Sequence, residues 1–180
     1  GGGGTALEHR NPTTLGATRR AHSRARPQVQ MILGVVPRRQ LLDRYGLQIF
    51  SDLVEAMKSG SVRLFNNCMD TNQHVFIQAG IFLLLEKLKQ AIYRRLFRKV
   101  AALHREAEPA KAAQIPLALL QAALAWQEVD MDLDEVECIV ANLIYRKYIK
   151  GYISHQHRVI VISKADPFPP LSKINLVDIA

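Results

Sequence analysis

Apolar positions recur at helical spacing through most of the chain and give way to β-branched runs near its end. The clearest stretch is 132–164, DLDEVECIVANLIYRKYIKGYISHQHRVIVISK. Val136, Ile139, Val140, Leu143 and Ile144 share one face of a helix. The spacing predicts that this helix ends near Lys150 and Gly151, where Lys suits the last turn and Gly the exit. YIS and VIVIS then flank a polar turn of His155, Gln156, His157 and Arg158, which predicts a β-hairpin. A helix running into a hairpin, with helices before it, is the C-terminal half of a winged helix.

Upstream, the pattern is helical throughout. PRRQLLDRYG has Pro37 at a helix start and Gly46 at its end. LQIFSDLVEAMKSG places Ile49, Phe50, Leu53, Val54 and Met57 on one face and stops at Gly60. SVRLFNNCMD opens with Ser61 as a cap and carries Val62, Leu64, Phe65 and Met69. Successive short amphipathic helices predict stacked helical hairpins, and such a stack normally extends further. Its missing neighbours are expected N-terminal to this chain, with an apolar edge over 31–70 where they belong. Residues 72–106 read as mostly helix, with a break at Gly80 and then a stripe of Ile81, Leu85, Leu88, Ile92, Leu96, Val100 and Leu103. Residues 107–114 are a linker, 114–117 a short strand and 117–128 a helix with Leu120, Ala123, Leu124 and Val129 inward. Trp126, the single tryptophan, is expected to pack where that helix meets the next. DPFPP at 166–170 cannot continue a sheet, because proline has no donor. The predicted fold class is mainly α: a helical-repeat stack followed by a winged helix with a small β-hairpin. The expected divisions are a disordered basic tail at 1–30, the helical-repeat part at 31–106, the winged helix at 107–165 and a surface tail at 166–180.

Composition adds charge to this picture. Apolar residues are 48% and charged ones 22%, values that place the chain among ordinary globular proteins. The net charge of +8 and pI near 9.8 favour acidic partners. Five arginines against one glutamate put half of that charge in residues 1–30, a segment without apolar period. It reads as a basic tail, with an Arg-rich transit peptide as the alternative. No initiating Met is present, so the chain is expected to be a fragment. Cys68 and Cys138 have no ligand-like spacing and are expected as buried thiols in a reducing compartment. No apolar run approaches the ~18 residues that span a bilayer, so membrane insertion is not expected.

Candidate chemistry is sparse. Lys87, Arg94, Arg98 and Arg105 fall within about 40° of one another at 100° per residue. They read either as a solvated helix face or as a positive ridge for phosphate or an acidic partner. A sequence-specific reader inserts the N-terminal part of its recognition helix into the major groove. Here that part carries Asp130, Asp132, Asp134, Glu135 and Glu137, which repel phosphate, while Asn142, Tyr145 and Arg146 face outward. Positive groups gather instead at the helix C-terminus, Arg146, Lys147 and Lys150, and on the hairpin, Arg158 and Lys164. Contact through them, and through His157 at the wing tip, would be to nucleic-acid backbone and salt-dependent. His155 and His157 lack further ligands nearby, so they read as turn residues or phosphate donors and not as a metal site. Cys138 has no His and acid arrangement around it, and phosphate-loop, paired-carboxylate and metalloprotease motifs are missing from the sequence. No catalytic residue, metal or cofactor is assigned.

Three stretches carry a resemblance. VPRRQLLDRYGLQIFSDLVEAMKSG, FIQAGIFLLLEKLKQAIYRRLFRKV and DMDLDEVECIVANLIYRKYIKGYISHQHRVIVISKADPFPPL together resemble the PCI domain family over residues 31–171. The family occurs in the proteasome lid, the signalosome and translation initiation factor three. Within it, DEVECIVANLIY and IKGYISHQH are most similar to the PCI subunit of the nuclear complex coupling transcription to mRNA export. That resemblance implies a large scaffold subunit, a small acidic disordered subunit, and a winged helix joined to the scaffold's to bind RNA or DNA. It also implies a nuclear location at or near the pore, with a cytoplasmic fraction. Such family members are much longer, residues 1–30 match nothing in them, and the Ala-rich linker at 106–114 departs from them. The expected function is therefore a non-enzymatic export subunit whose basic winged-helix surface contacts nucleic acid. The alternative is a purely structural subunit of a proteasome-lid or signalosome-type assembly.

Overall fold

In the computed structural model of the chain, the described residues are 48–171 together with Gln40 and Leu42. The basic tail, the surface tail beyond 171 and, apart from Gln40 and a buried Leu42, the PRRQLLDRYG helix lie outside them. After a 3-10 turn at Gln48–Phe50 come α1 (Ser51–Ser59), α2 (Val62–Thr71), α3 (Gln73–Gln78), α4 (Phe82–Glu86) and α5 (Leu88–Ala107). A second 3-10 turn at Pro109–Lys111 leads into β1 (Gln114–Pro116), α6 (Leu117–Ala125), α7 (Leu133–Tyr145), β2 (Gly151–Ser154) and β3 (Val159–Ile162). The sheet is antiparallel with order β1-β3-β2, which is the winged-helix arrangement. In the register, Ile153 and Ile115 both pair with Ile160.

Each boundary has a local cause. Ser61 Oγ accepts from Leu64 N at 3.2 Å and starts α2. Gly60 ends α1 with φ +74, and a Cβ there would stand 3.1 Å from Leu96 N of α5. The turn between α1 and α2 can therefore rest directly on α5. Asp132 and Glu135 form a reciprocal capping box at α7, with bonds of 2.7 and 2.9 Å. The far end of α7 differs from expectation. It stops at Tyr145 because Lys147 takes φ +61, so that Lys147 N donates to Ile144 O at 2.9 Å and Tyr148 N to Leu143 O at 2.8 Å. That pair of bonds closes the helix with lysine in the place glycine usually takes. The expected single helix after Gly80 is also interrupted, at Lys87.

One apolar core runs through both halves. Leu53, Phe65, Ile92 and Phe97 join Leu117, Leu120, Leu124, Val136, Val140, Leu143 and Ile160 in a single cluster. α5 is the shared wall, packing on α1 and α2 on one side and on α6 on the other. Leu103, expected in its stripe, is exposed, whereas its neighbours Ala101 and His104 turn inward. Trp126, expected between helices, is 84% exposed. Gln127 is the residue that faces inward at that point: its Oε1 accepts from Val62 N at 2.5 Å and its Nε2 donates to Gly60 O at 3.4 Å. Cys68 is buried as expected, and burial pushes its thiol up, helped by Asp52; Cys138 is exposed, on the open side of α7.

Arg94 ties the halves together. It is buried on α5, and its guanidinium donates to Tyr148 O at 3.2 Å, Phe168 O at 2.9 Å and Pro169 O. Those carbonyls belong to the corner after α7 and to the DPFPP segment after β3. Replacing Arg94 with Met should cost about 2–4 kcal/mol, because the carbonyls keep their desolvation and lose their donor. Chemical denaturation of the two proteins measures this; equal midpoints would show that the clamp contributes nothing.

Candidate nucleic-acid interface

The first half of α7 and the wing form one closed network. Arg158, at φ +51 in the hairpin turn, donates to Asp134 Oδ1 at 2.5 Å and Glu137 Oε2 at 2.9 Å. The hydrogen bond to Asp134 raises the affinity of Arg158 for its proton, with further help from the charges of both carboxylates, so it stays fully charged. His155 Nδ1 lies 2.8 Å from Glu137 Oε1. With Cys138, Ala141 and Ile153 these groups line an open cleft of about 440 Å³ between helix and wing. Two carboxylates surround one guanidinium there, and Asp132 and Glu135 are occupied by the cap. Arg158 is thus paired with two carboxylates across helix and wing, while its side chain stays partly open to solvent, 39% exposed. His157, at the tip, is exposed.

The opposite end of α7 is different. Arg146 follows the helix, half-buried, and Lys147 and Lys150 stand exposed in the corner. Lys150 N donates to Pro167 O and its carbonyl accepts from Ser163 N, both at 2.8 Å, which places Lys164 beside it in the chain's return. Lys150 Nζ lies 3.8 Å from Asp166 Oδ2, a loose pair exposed on both sides. The geometry brings α5 to the same place. Burial lowers the proton affinity of Arg94, and the charges of Arg98 and Arg95 lower it further, while Asp166 opposes them. Burial pushes the Tyr148 hydroxyl up, against the charges of Arg146 and Arg94. The charges of Arg98 and Asp166 thus reach Arg94, that of Arg146 reaches Tyr148, whose carbonyl Arg94 holds, and Lys150 pairs with Asp166.

The ridge expected along α5 is thus split. Arg94 does not stand on it, because the DPFPP segment and the corner cover it. Arg98 is exposed and belongs to the corner. Arg105 is exposed about 10 Å further along the axis, at 1.5 Å per residue, and Lys87 is exposed at the break before α5. Arg95, outside the expected set, is exposed and lies against the Gly60 turn; its 100° offset from Arg94 hid it from a single-stripe reading. Lys99 Nζ is engaged by Ser59 O at 2.5 Å. Among the described residues, no group of three or more His, Cys, Asp or Glu is placed to hold a metal ion. Nor is any helix among them long and apolar enough to cross a membrane.

Comparison with known proteins places this geometry in a family. The PCI domain sequence model matches residues 69–164. PCI domain-containing protein 2 of Danio rerio is 49% identical over 148 residues, covering 82% of this chain and 36% of the relative. Enhanced ethylene response protein 5 of Arabidopsis thaliana is 40% identical over 144 residues, 80% of this chain and 35% of the relative. Protein CSN12 homolog of Gibberella zeae is 33% identical over 169 residues, 82% of this chain and 37% of the relative. The chain thus spans 35 to 36% of the length of the first two of these relatives.

The closed network predicts a specific response. Asp134→Asn with Glu137→Gln should free the wing, so that amide exchange at 155–158 quickens about tenfold while exchange in α5 is unchanged. Unaltered exchange at the wing would show that Arg158 and His155 hold nothing there.

Proposed function

The chain belongs to the PCI domain family, and we propose that it acts there as a non-enzymatic subunit of a nuclear mRNA-export complex. In this reading it binds a large scaffold subunit and offers nucleic acid a basic corner built from Arg98, Arg146, Lys147, Lys150 and Lys164. The observation that carries the reading is the separation of charge along α7. Its groove-entering end is acidic and closed by Arg158, whereas its C-terminal end opens onto cations drawn from two elements. Such a surface attracts phosphates without reading bases, so binding is sequence-tolerant and falls steeply with salt. The export setting is supported by the resemblance carried by DEVECIVANLIY and IKGYISHQH, and with it comes a nuclear location near the pore.

Partner surfaces follow the same logic. Every exposed position of α6 is apolar: Ala118, Leu119, Ala122 and Ala125, continued by Trp126. An uninterrupted apolar helix face is what a permanent scaffold contact requires, and tryptophan is the commonest anchor of such contacts. The small acidic disordered subunit finds complementary charge at the two ends of α5, at Lys87 just before it and at Arg105 in its last turn.

The second reading, a purely structural subunit without nucleic-acid contact, draws on the acidic, closed start of α7 and on the relative named as a CSN12 homolog. Filter binding at two salt concentrations, with and without the scaffold, separates the two; no binding at any salt favours the structural role. Reversing Arg98, Arg146, Lys147 and Lys150 to Glu should weaken RNA binding at least about tenfold at low salt and lower the log–log salt slope by about 3, whereas Arg158→Ala should change affinity by less than about twofold. Unchanged affinity in the reversed protein contradicts the corner. Trp126→Ala should weaken scaffold association by about tenfold or more with no loss of thermal stability, and retained association would remove α6 from the interface.

A further inference from the structure

We propose that Tyr145 is a base-stacking residue, so that the corner takes unpaired strands in preference to duplex. The inference rests on the nucleic-acid reading above and specifies its ligand. Tyr145 is the last residue of α7 and is 85% exposed. Burying a tyrosine removes a large apolar surface from water, and leaving one almost wholly in water forgoes that gain. The stretch YRKYIKGY alternates aromatic and basic residues through the corner, and its tyrosines divide sharply. Tyr148 is buried, and its carbonyl accepts from Arg94. Tyr145 and Tyr152 stand out on either side of it, Tyr152 at 62% exposure.

The backbone that carries the ring is fixed. The helix end beneath it is closed by Tyr148 N and Lys147 N on Leu143 and Ile144, and the loop beyond is fastened by Arg94 and by Pro167 O. An exposed aromatic on a fixed backbone, directly followed by Arg146 and Lys147, is the combination that single-strand sites use: the ring stacks a base while the cations take the adjacent phosphates. Duplex bases are already stacked on one another and offer the ring no free face, so duplex is left with the cations alone. Stacking needs the ring and not the hydroxyl, which gives the proposal a conservative control.

The test uses the whole chain at low salt, with fluorescein-labelled oligouridine and an RNA duplex of equal length, read by anisotropy. Tyr145→Ala should lose about tenfold in affinity for the single strand and less than about twofold for the duplex. Tyr145→Phe should bind both as the parent does. Parental binding of the single strand by Tyr145→Ala overturns the proposal, as do equal losses on the two probes. If Tyr145→Ala is silent while reversal of Arg98, Arg146, Lys147 and Lys150 abolishes binding, stacking fails and the basic corner stands. If the parent binds neither probe, with or without the scaffold, both fall. A Tyr145→Ala protein that loses scaffold association but keeps oligouridine binding assigns the ring to a protein contact and overturns stacking.

Discussion

A buried cation, Arg94, determines how the parts of this molecule face one another. Taking a guanidinium out of water is expensive unless its donors are met. Here the partners are backbone carbonyls of Tyr148, Phe168 and Pro169, from segments 54 to 75 residues away in the chain. Among the described residues no carboxylate pairs with it. The donors can be satisfied only if the corner after α7 and the DPFPP segment both close on α5. That closure sets the orientation of the winged helix on the helical part. It also brings Arg146, beside Tyr148, and the Lys150–Asp166 pair toward the part of α5 that carries Arg98.

The charge left over defines the surface. At the start of α7 the capping box and the Arg158 network pair acids with donors at the surface, two carboxylates to one guanidinium, leaving little positive field for phosphate. At its end, Asp166 is the carboxylate acting on Arg94 and paired with Lys150, and that pair is loose and solvent-screened. The start of α7 is thus tied to the wing, while its C-terminal end leads into exposed Lys147 and Lys150. The apolar face of α6, with Trp126, lies outside this network.

Much of the architecture was legible in the sequence because it is written locally. The apolar spacing from Val136 to Ile144, the Ser61 cap, the Gly60 and Gly80 stops and the β-branched runs around 155–158 each report a short-range constraint. What escaped depends on distant contacts. Helical spacing put Arg94 in line with Arg98 and Arg105 but could not reveal that DPFPP folds back to cover it. The pairing of Arg158 was hidden because its carboxylates lie 21 to 24 positions earlier. The α7 end was placed too late because lysine, not glycine, takes the left-handed position at 147. Trp126 was turned inward on composition alone, when Gln127 is the residue that packs. The cations at the C-terminal end of α7 were visible as a charge run; their meeting with Arg98 was not, since it needs the fold.

The central claim is that nucleic acid meets this protein at the α5–α7 corner and not at the wing. The most direct measurement is a backbone footprint: amide exchange or chemical-shift change across the chain on addition of oligouridine at low salt. Changes concentrated at 95–98, 145–150 and 163–166, with 155–158 unaffected, are the predicted result. Changes centred on the wing turn, with the corner silent, would contradict it.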